Sequence, residues 1–180
     1  MQILLIRHCQ AVSQAPGAPL TADGTKAAER LATFLRSCGV DALFSSPYKR
    51  ALETLAPFST GDKVAIRIDD RLAERRLESQ SSPDWLEHVR RSFDDLDYRA
   101  PSGETLREAQ QRGLGAIQEI SRASHKLPAV ATHGNLLAAL LHSADHSFGF
   151  ERWRELKNPD IFRVTVEKDQ LLAFVRITPT

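Results

Sequence analysis

The sequence predicts an α/β fold of three layers, a mainly parallel sheet between helices, with an antiparallel hairpin at its C-terminal edge. Three observations predict it. Short apolar runs alternate with amphipathic helical stretches along most of the chain. The first run, Ile3 to Ile6, is long enough for a buried strand, too short for a helix, and cut off by Arg7-His8. A second apolar run ends the same way, at Thr132-His133-Gly134. Open α/β sheets bind ligands in the crevice beyond the carboxyl ends of their strands, so these strand-end histidines mark a candidate site.

The elements follow in order. Strand 1 covers about Gln2–Ile6, and a loop with Pro16, Gly17 and Pro19 leads to Thr21, an N-cap for a helix from Ala22 to about Ser37. Ala27, Ala28, Leu31, Ala32, Phe34 and Leu35 form its apolar stripe, and Gly39 ends it. Asp41–Ser45 reads as a second buried strand, Ser45-Ser46-Pro47 as its end, and Tyr48 to about Phe58 as a helix. Val64–Ile68 alternates as a third strand, and Leu72–Arg76 reads as a loop. Ser82-Pro83 opens a short amphipathic helix to about Leu96; Gly103-Glu104-Thr105 opens a long one to about Ser124, weakened by Gly113 and Gly115. Pro128–Thr132 is a fourth strand, followed by a helix over about Asn135–Ser143. Phe162–Glu167 and Leu171–Ile177, separated by Lys168-Asp169-Gln170, form the hairpin.

Composition excludes several classes of function. The 180 residues suit one domain, 1–180, with a lid or cap insertion at about 75–101. A formal charge of +1 gives no sign of a nucleic-acid surface. Two cysteines, Cys9 and Cys38, are too few for a disulfide scaffold. The N-terminal apolar run is too short for a signal peptide, and no stretch approaches the roughly 18 apolar residues of a membrane span. The expectation is a reduced, cytoplasmic protein with no membrane association. The terminal hairpin leaves a sheet edge able to pair with a second copy in a homodimer.

The groups at strand ends define a chemistry. Arg7 and His8 follow strand 1, Arg50 follows strand 2, Glu74 follows strand 3 and His133 follows strand 4. If these strands are parallel neighbours, their ends open on one side of the sheet. Guanidinium forks match the oxygens of a phosphoryl dianion. Two nearby cations disfavour the imidazolium of His8 and leave its lone pair available for attack on phosphorus. Arg7, Arg50 and His133 would hold the charge of the transition state, and Glu74 would pass a proton to the leaving alkoxide and later take one from water. No metal or other cofactor is required.

With these residues in place the chain resembles the histidine phosphatase superfamily, in its phosphoglycerate mutase-like branch. The strand-end signature is matched by Leu5-Ile6-Arg7-His8, and the Pro-Leu-Thr-x-x-Gly segment by Pro19-Leu20-Thr21-Ala22-Asp23-Gly24. The Ser-Ser-Pro-x-x-Arg-Ala-x-x-Thr segment stands as Ser45-Ser46-Pro47-Tyr48-Lys49-Arg50-Ala51-Leu52-Glu53-Thr54. Leu72-Ala73-Glu74, Gly103-Glu104 and His133-Gly134 complete the ordered set. The resemblance implies that His8 is the phosphorylated nucleophile, that Arg7, Arg50 and His133 bind phosphate, and that Glu74 is the proton donor, with Glu78 and Glu104 as competitors. It implies a metal-independent phosphomonoesterase acting on small phosphorylated metabolites. Phosphoglycerate mutase-type transfer, dephosphorylation of protein phosphohistidine and a catalytically inactive phosphate-binding module remain as alternatives.

Two departures stand out. The family usually has Gly after the nucleophile, where this chain has Cys9, a residue tolerated there only if φ is negative. Many members carry a phosphate-contacting Asn six residues after the nucleophile; here the position is Gln14, whose amide can still donate. Cys9 reads either as a buried apolar residue or as a thiolate switch beside the arginines. His142 and His146 are four apart but lack the intervening Glu of a metalloprotease motif, and read as structural.

Overall fold

The computed structural model describes residues 1–77 and 84–178. Its strands are β1 (Gln2–Arg7), β2 (Ala42–Ser45), β3 (Ile66–Ile68), β4 (Pro128–Thr132), β5 (Asp160–Glu167) and β6 (Gln170–Ile177). Its helices are α1 (Ala22–Cys38), α2 (Lys49–Asp62), α3 (Trp85–Asp94), α4 (Leu106–Arg122), α5 (Gly134–Ala144) and α6 (Phe150–Arg154). The six strands form one sheet in the order β3-β2-β4-β1-β5-β6. β3, β2, β4 and β1 are mutually parallel, and β5 and β6 continue the sheet antiparallel.

Alternation along β1 explains why its sequence reads as one apolar run. Ile3 and Leu5 point to a core shared with α4 and α5; Leu4 and Ile6 point to a second core shared with α1 and α2. All four side chains are fully buried, each stabilising the fold by about 1.5–3 kcal/mol. A strand covered on both faces has no polar face to show. Among the described residues, no helix is long and apolar enough to cross a membrane.

The predicted elements recur with local shifts. Thr21 caps α1 by accepting from the Gly24 N–H, and Gly39, at φ 73°, closes it. α2 runs on to Asp62 through Pro57, four residues past the expected end. β3 is correspondingly short, because the Val64 N–H turns back to the Ser59 carbonyl at 3.2 Å and ends the helix instead of joining the sheet. The expected loop after β3 opens with a 3₁₀ turn over Asp70–Leu72, capped by the Asp69 carboxylate. α3 begins by Trp85, and the expected start at Ser82-Pro83 lies outside the described residues.

α4 is capped by a reciprocal Thr105–Glu108 box. It continues unbroken through Gly113 and Gly115, since Gly113 is where α4 and α5 meet. A Cβ there would lie 2.8 Å from Leu136 Cδ1. The closing hairpin turns on two residues, Lys168 and Asp169, both with positive φ, and Gln170 already belongs to β6. α6 was not foreseen: at five residues it is too short to show a helical period.

Candidate active site

The parallel register brings the predicted residues to one edge. Arg7 pairs with Thr132 across β1 and β4, and Ser45 pairs with Ala131 and Ile68 on either side of β2. The residues after these ends therefore converge: His8, the 46–50 segment, the loop bearing Glu74, and His133. Because β5 enters antiparallel, the loop before it opens on the same edge and adds Leu156 and Asn158.

His8 is almost wholly buried, and its backbone is fixed by its N–H on the Thr132 carbonyl at 3.0 Å and by Asn158 Nδ2 on its own carbonyl at 2.7 Å. The Arg50 Nε–H donates to His8 Nε2 at 3.0 Å. A guanidinium can only donate, so Nε2 carries the lone pair and Nδ1 carries the proton, given to the Cys9 carbonyl at 2.7 Å. The ring is thus presented as the tautomer in which Nε2 is nucleophilic. Its pKa is lowered to about 4, first by burial and only then by Arg50 and Arg7, with the Cys9 carbonyl acting in the opposite direction. Burial in low-dielectric surroundings, rather than the two cations expected from the sequence, has the leading part.

A pH experiment follows. The His8 ring carbon protons are expected to stay at their neutral NMR shifts down to about pH 5 and to titrate near 4. A midpoint at the ordinary 6.5 would contradict the buried neutral ring. Since the folded value lies below the unfolded one, the stability this group contributes is complete above about 6.5 and is lost as pH falls towards 4.

Arg50 is 1% exposed and donates through Nη1 to the carbonyls of Gln14 and Ala15, each at 3.0 Å, with its guanidinium 5.0 Å from the centre of the Tyr48 ring. Arg7 donates from Nη1 to the Leu156 carbonyl at 2.7 Å. Neither arginine is ion-paired with a carboxylate among the described residues, and burial lowers the pKa of both. His133 is fully buried, its ring centre 5.1 Å from that of His8, with Nε2 2.6 Å from Ser46 Oγ. Burial also holds the His133 pKa well below its usual value, ahead of the effect of its neighbour His8. Gly134 matters by its missing side chain: a Cβ there would sit 3.2 Å from Arg7 Nε.

Buried polar atoms without a partner are costly, roughly 1–3 kcal/mol each, and each one needs a reason. Among the described residues there are six such atoms: Arg7 Nε, His133 Nδ1 and Asn135 Oδ1 belong to this edge, and the others are Arg75 Nη1 and Nη2 and Arg163 Nε. Asn135 lines a cavity of about 500 Å³ that also has Arg50, Glu74, Tyr48, Arg76 and Trp85 in its wall.

Glu74 stands where the sequence placed it. One oxygen accepts from the N–H groups of Arg75 and Leu136 at 2.8 and 3.1 Å, and the other from the Asn135 N–H at 3.2 Å. Its carboxyl group therefore sits at the N-terminus of α5. Glu104, the competitor, is buried in an ion pair with Arg112, Nε to Oε1 at 2.7 Å. Burial would raise its pKa, but the Arg112 pairing and Arg76 together outweigh this and hold it below the usual value. Glu78 lies outside the described residues.

The two departures resolve differently. Cys9 has no positive φ, so its side chain costs no backbone strain. It packs with Leu20, Ala27 and Ala28, and burial pushes its thiol up to about 11, which leaves it protonated and inert near neutral pH. Gln14 borders the cavity, but its contact with Arg50 is made by its backbone carbonyl, and among the described residues its side-chain amide has no hydrogen-bond partner in the site. His142 Nδ1 lies 3.2 Å from the Phe148 carbonyl, a structural contact.

Sequence reasoning missed Ser46, Thr54, Asn135 and Asn158 as functional neighbours. Ser46 and Thr54 stood inside a quoted motif without a role. Thr54 Oγ1 accepts from the Cys9 N–H and donates to the Arg50 carbonyl, at 2.9 and 2.7 Å. Asn158 follows no pattern that a single sequence reveals.

Comparisons with known proteins establish the family and agree with the fold. The family model described as "Histidine phosphatase superfamily (branch 1)" matches residues 3–176. The "Probable phosphoglycerate mutase GpmB" of Proteus mirabilis is 26% identical over 190 residues, covering 96% of this chain and 88% of that protein. Among solved structures, the mycobacterial glucosyl-3-phosphoglycerate phosphatase Rv2419c with inorganic phosphate aligns with a TM-score of 0.78 at 18% identity, over 98% of this chain and 95% of that one. A phosphoserine phosphatase mutant from Entamoeba histolytica in complex with phosphoserine aligns with a TM-score of 0.76 at 15% identity, over 98% and 95%. With the match extending over nearly the whole chain, the protein belongs to the histidine phosphatase superfamily, branch 1.

Proposed function

We propose that the protein is a metal-independent phosphomonoesterase that works through a phosphohistidine at His8 on small phosphorylated substrates. The observation that carries this reading is the buried, neutral His8, with its Nε2 lone pair facing the Arg50 guanidinium. In the first step the Nε2 pair attacks phosphorus as the bond to the ester oxygen breaks. The departing oxygen keeps the bonding pair and takes a proton from the Glu74 carboxyl. The Nδ1–H stays on the Cys9 carbonyl and steadies the positive ring. Arg50 passes from Nε2 to a phosphoryl oxygen, and Arg7 Nε and His133 Nδ1 supply the remaining contacts. In the second step Glu74 takes a proton from water, the oxygen attacks phosphorus, and the N–P bond returns its pair to Nε2. The sum is ester plus water giving alcohol plus phosphate. Phosphatase names among the structural neighbours support this reading.

The names of the sequence relatives favour a second reading, transfer of the phosphoryl group back to a retained ester as in a mutase. One experiment separates the two. The protein is mixed with labelled p-nitrophenyl phosphate in excess chelator and quenched in alkali, where phosphohistidine survives. Label on the His8 peptide, discharging to inorganic phosphate, is the expected result. Discharge onto an added phosphoglycerate acceptor in preference to water would favour the mutase. Label on another residue would overturn the proposed nucleophile.

A further inference from the structure

We propose that the pair formed by buried Glu104 and half-buried Arg112 is a splint that positions Glu74 for proton transfer, making Arg112 and Glu104 positioning residues of the reaction. The inference rests on the reading of Glu74 as proton donor. Glu74 lies on an irregular loop, the least regular support in the site, yet it must meet an ester oxygen within hydrogen-bond reach. The loop is held on both sides of it. Arg112 Nη1 donates to the carbonyls of Arg71 and Ala73, at 2.6 and 2.9 Å. Downstream, the Arg76 N–H donates to Glu104 Oε2 at 3.3 Å, and the Arg76 carbonyl accepts from the Glu104 N–H at 2.7 Å. Arg75 Nε donates to the Glu104 carbonyl at 2.9 Å.

The two clamps are one unit, because Arg112 grips Glu104 with Nε and Nη2 at 2.7 and 2.9 Å. They also refer to the right frame. Arg112 is on α4, which packs on α5 at Gly113 and through Gln110 Nε2 on the Ala139 carbonyl at 2.8 Å. α5 is the helix whose N-terminus holds the Glu74 carboxylate. The backbone of the acid and the seat of its carboxylate are thus tied to the same pair of helices. A pair serving stability alone would not need to bracket Glu74 from both directions.

The test compares two leaving groups of nearly equal shape. p-Nitrophenolate departs without needing a proton, whereas the phenolate of phenyl phosphate depends far more on one. The variants are Glu74→Gln, Arg112→Lys, which keeps the charge but loses the fork, and Glu104→Gln, which keeps the shape but loses the charge. In kcat/KM, each is expected to lose at least about tenfold more on phenyl phosphate than on p-nitrophenyl phosphate. Selective loss in Glu74→Gln with equal losses on both esters in the pair variants would overturn the splint and leave Glu74 as the donor. Equal losses in Glu74→Gln itself would overturn that reading, and the splint with it. Failure of both pair variants to fold, read by circular dichroism, would assign the pair to stability and overturn the proposal.

Discussion

His8→Ala is expected to reduce turnover of every phosphomonoester by on the order of 10⁴-fold or more, with the fold retained. The loss should be large because no neighbour can take the place of Nε2. The adjacent Cys9 thiol is held protonated, with a pKa of about 11, in its apolar pocket. His133 is committed to Ser46 through its own Nε2. The fold should survive because the backbone bonds of residue 8, its N–H on Thr132 and its carbonyl on Asn158, do not involve the ring. Kinetics on p-nitrophenyl phosphate with chelator, beside a thermal melt, check both halves. Added imidazole should restore part of the activity by entering the hole left by the ring. Turnover within about tenfold of wild type would sink the nucleophile.

Much of this site was legible in the sequence because strand ends and phosphate chemistry both leave local marks. Arg7-His8 and His133-Gly134 each follow an apolar run, and a parallel sheet places the ends of such runs side by side without further information. Arg50 was legible through its motif. What was not legible depends on contacts between distant segments. That Gln14 would serve by its carbonyl, or that Asn158 would reach the carbonyl of His8 across 150 positions, follows from three-dimensional packing alone. The same limit explains the misplaced emphasis on His8. Nearby cations can be inferred from spacing, whereas the depth of burial, which comes first in lowering its pKa, cannot. Helix ends erred where a tertiary bond competed with periodicity, as at Val64.

Arg50→Lys is expected to lower kcat/KM by about 10²–10³-fold, or the melting temperature instead, according to which partner the ammonium keeps. The guanidinium does three things at once: Nε points at His8 Nε2, Nη1 binds two carbonyls of the 14–15 loop, and its carbon lies over the Tyr48 ring. An ammonium keeps the charge but is a point, so it can satisfy the loop carbonyls or face the phosphoryl group, not both. If it stays with the loop, transition-state oxygens lose a donor; if it turns to the phosphate, two carbonyls lose theirs. The second outcome should cost about 1–3 kcal/mol, which in a chain of this size is a shift of several degrees. Rate and stability therefore identify which partner the lysine chooses, and a melt unchanged with full activity would show that neither task needs the fork. A loss confined to kcat, with phosphate inhibition unaltered, would place Arg50 on the transition state alone; weakened inhibition would place it on the bound phosphate too.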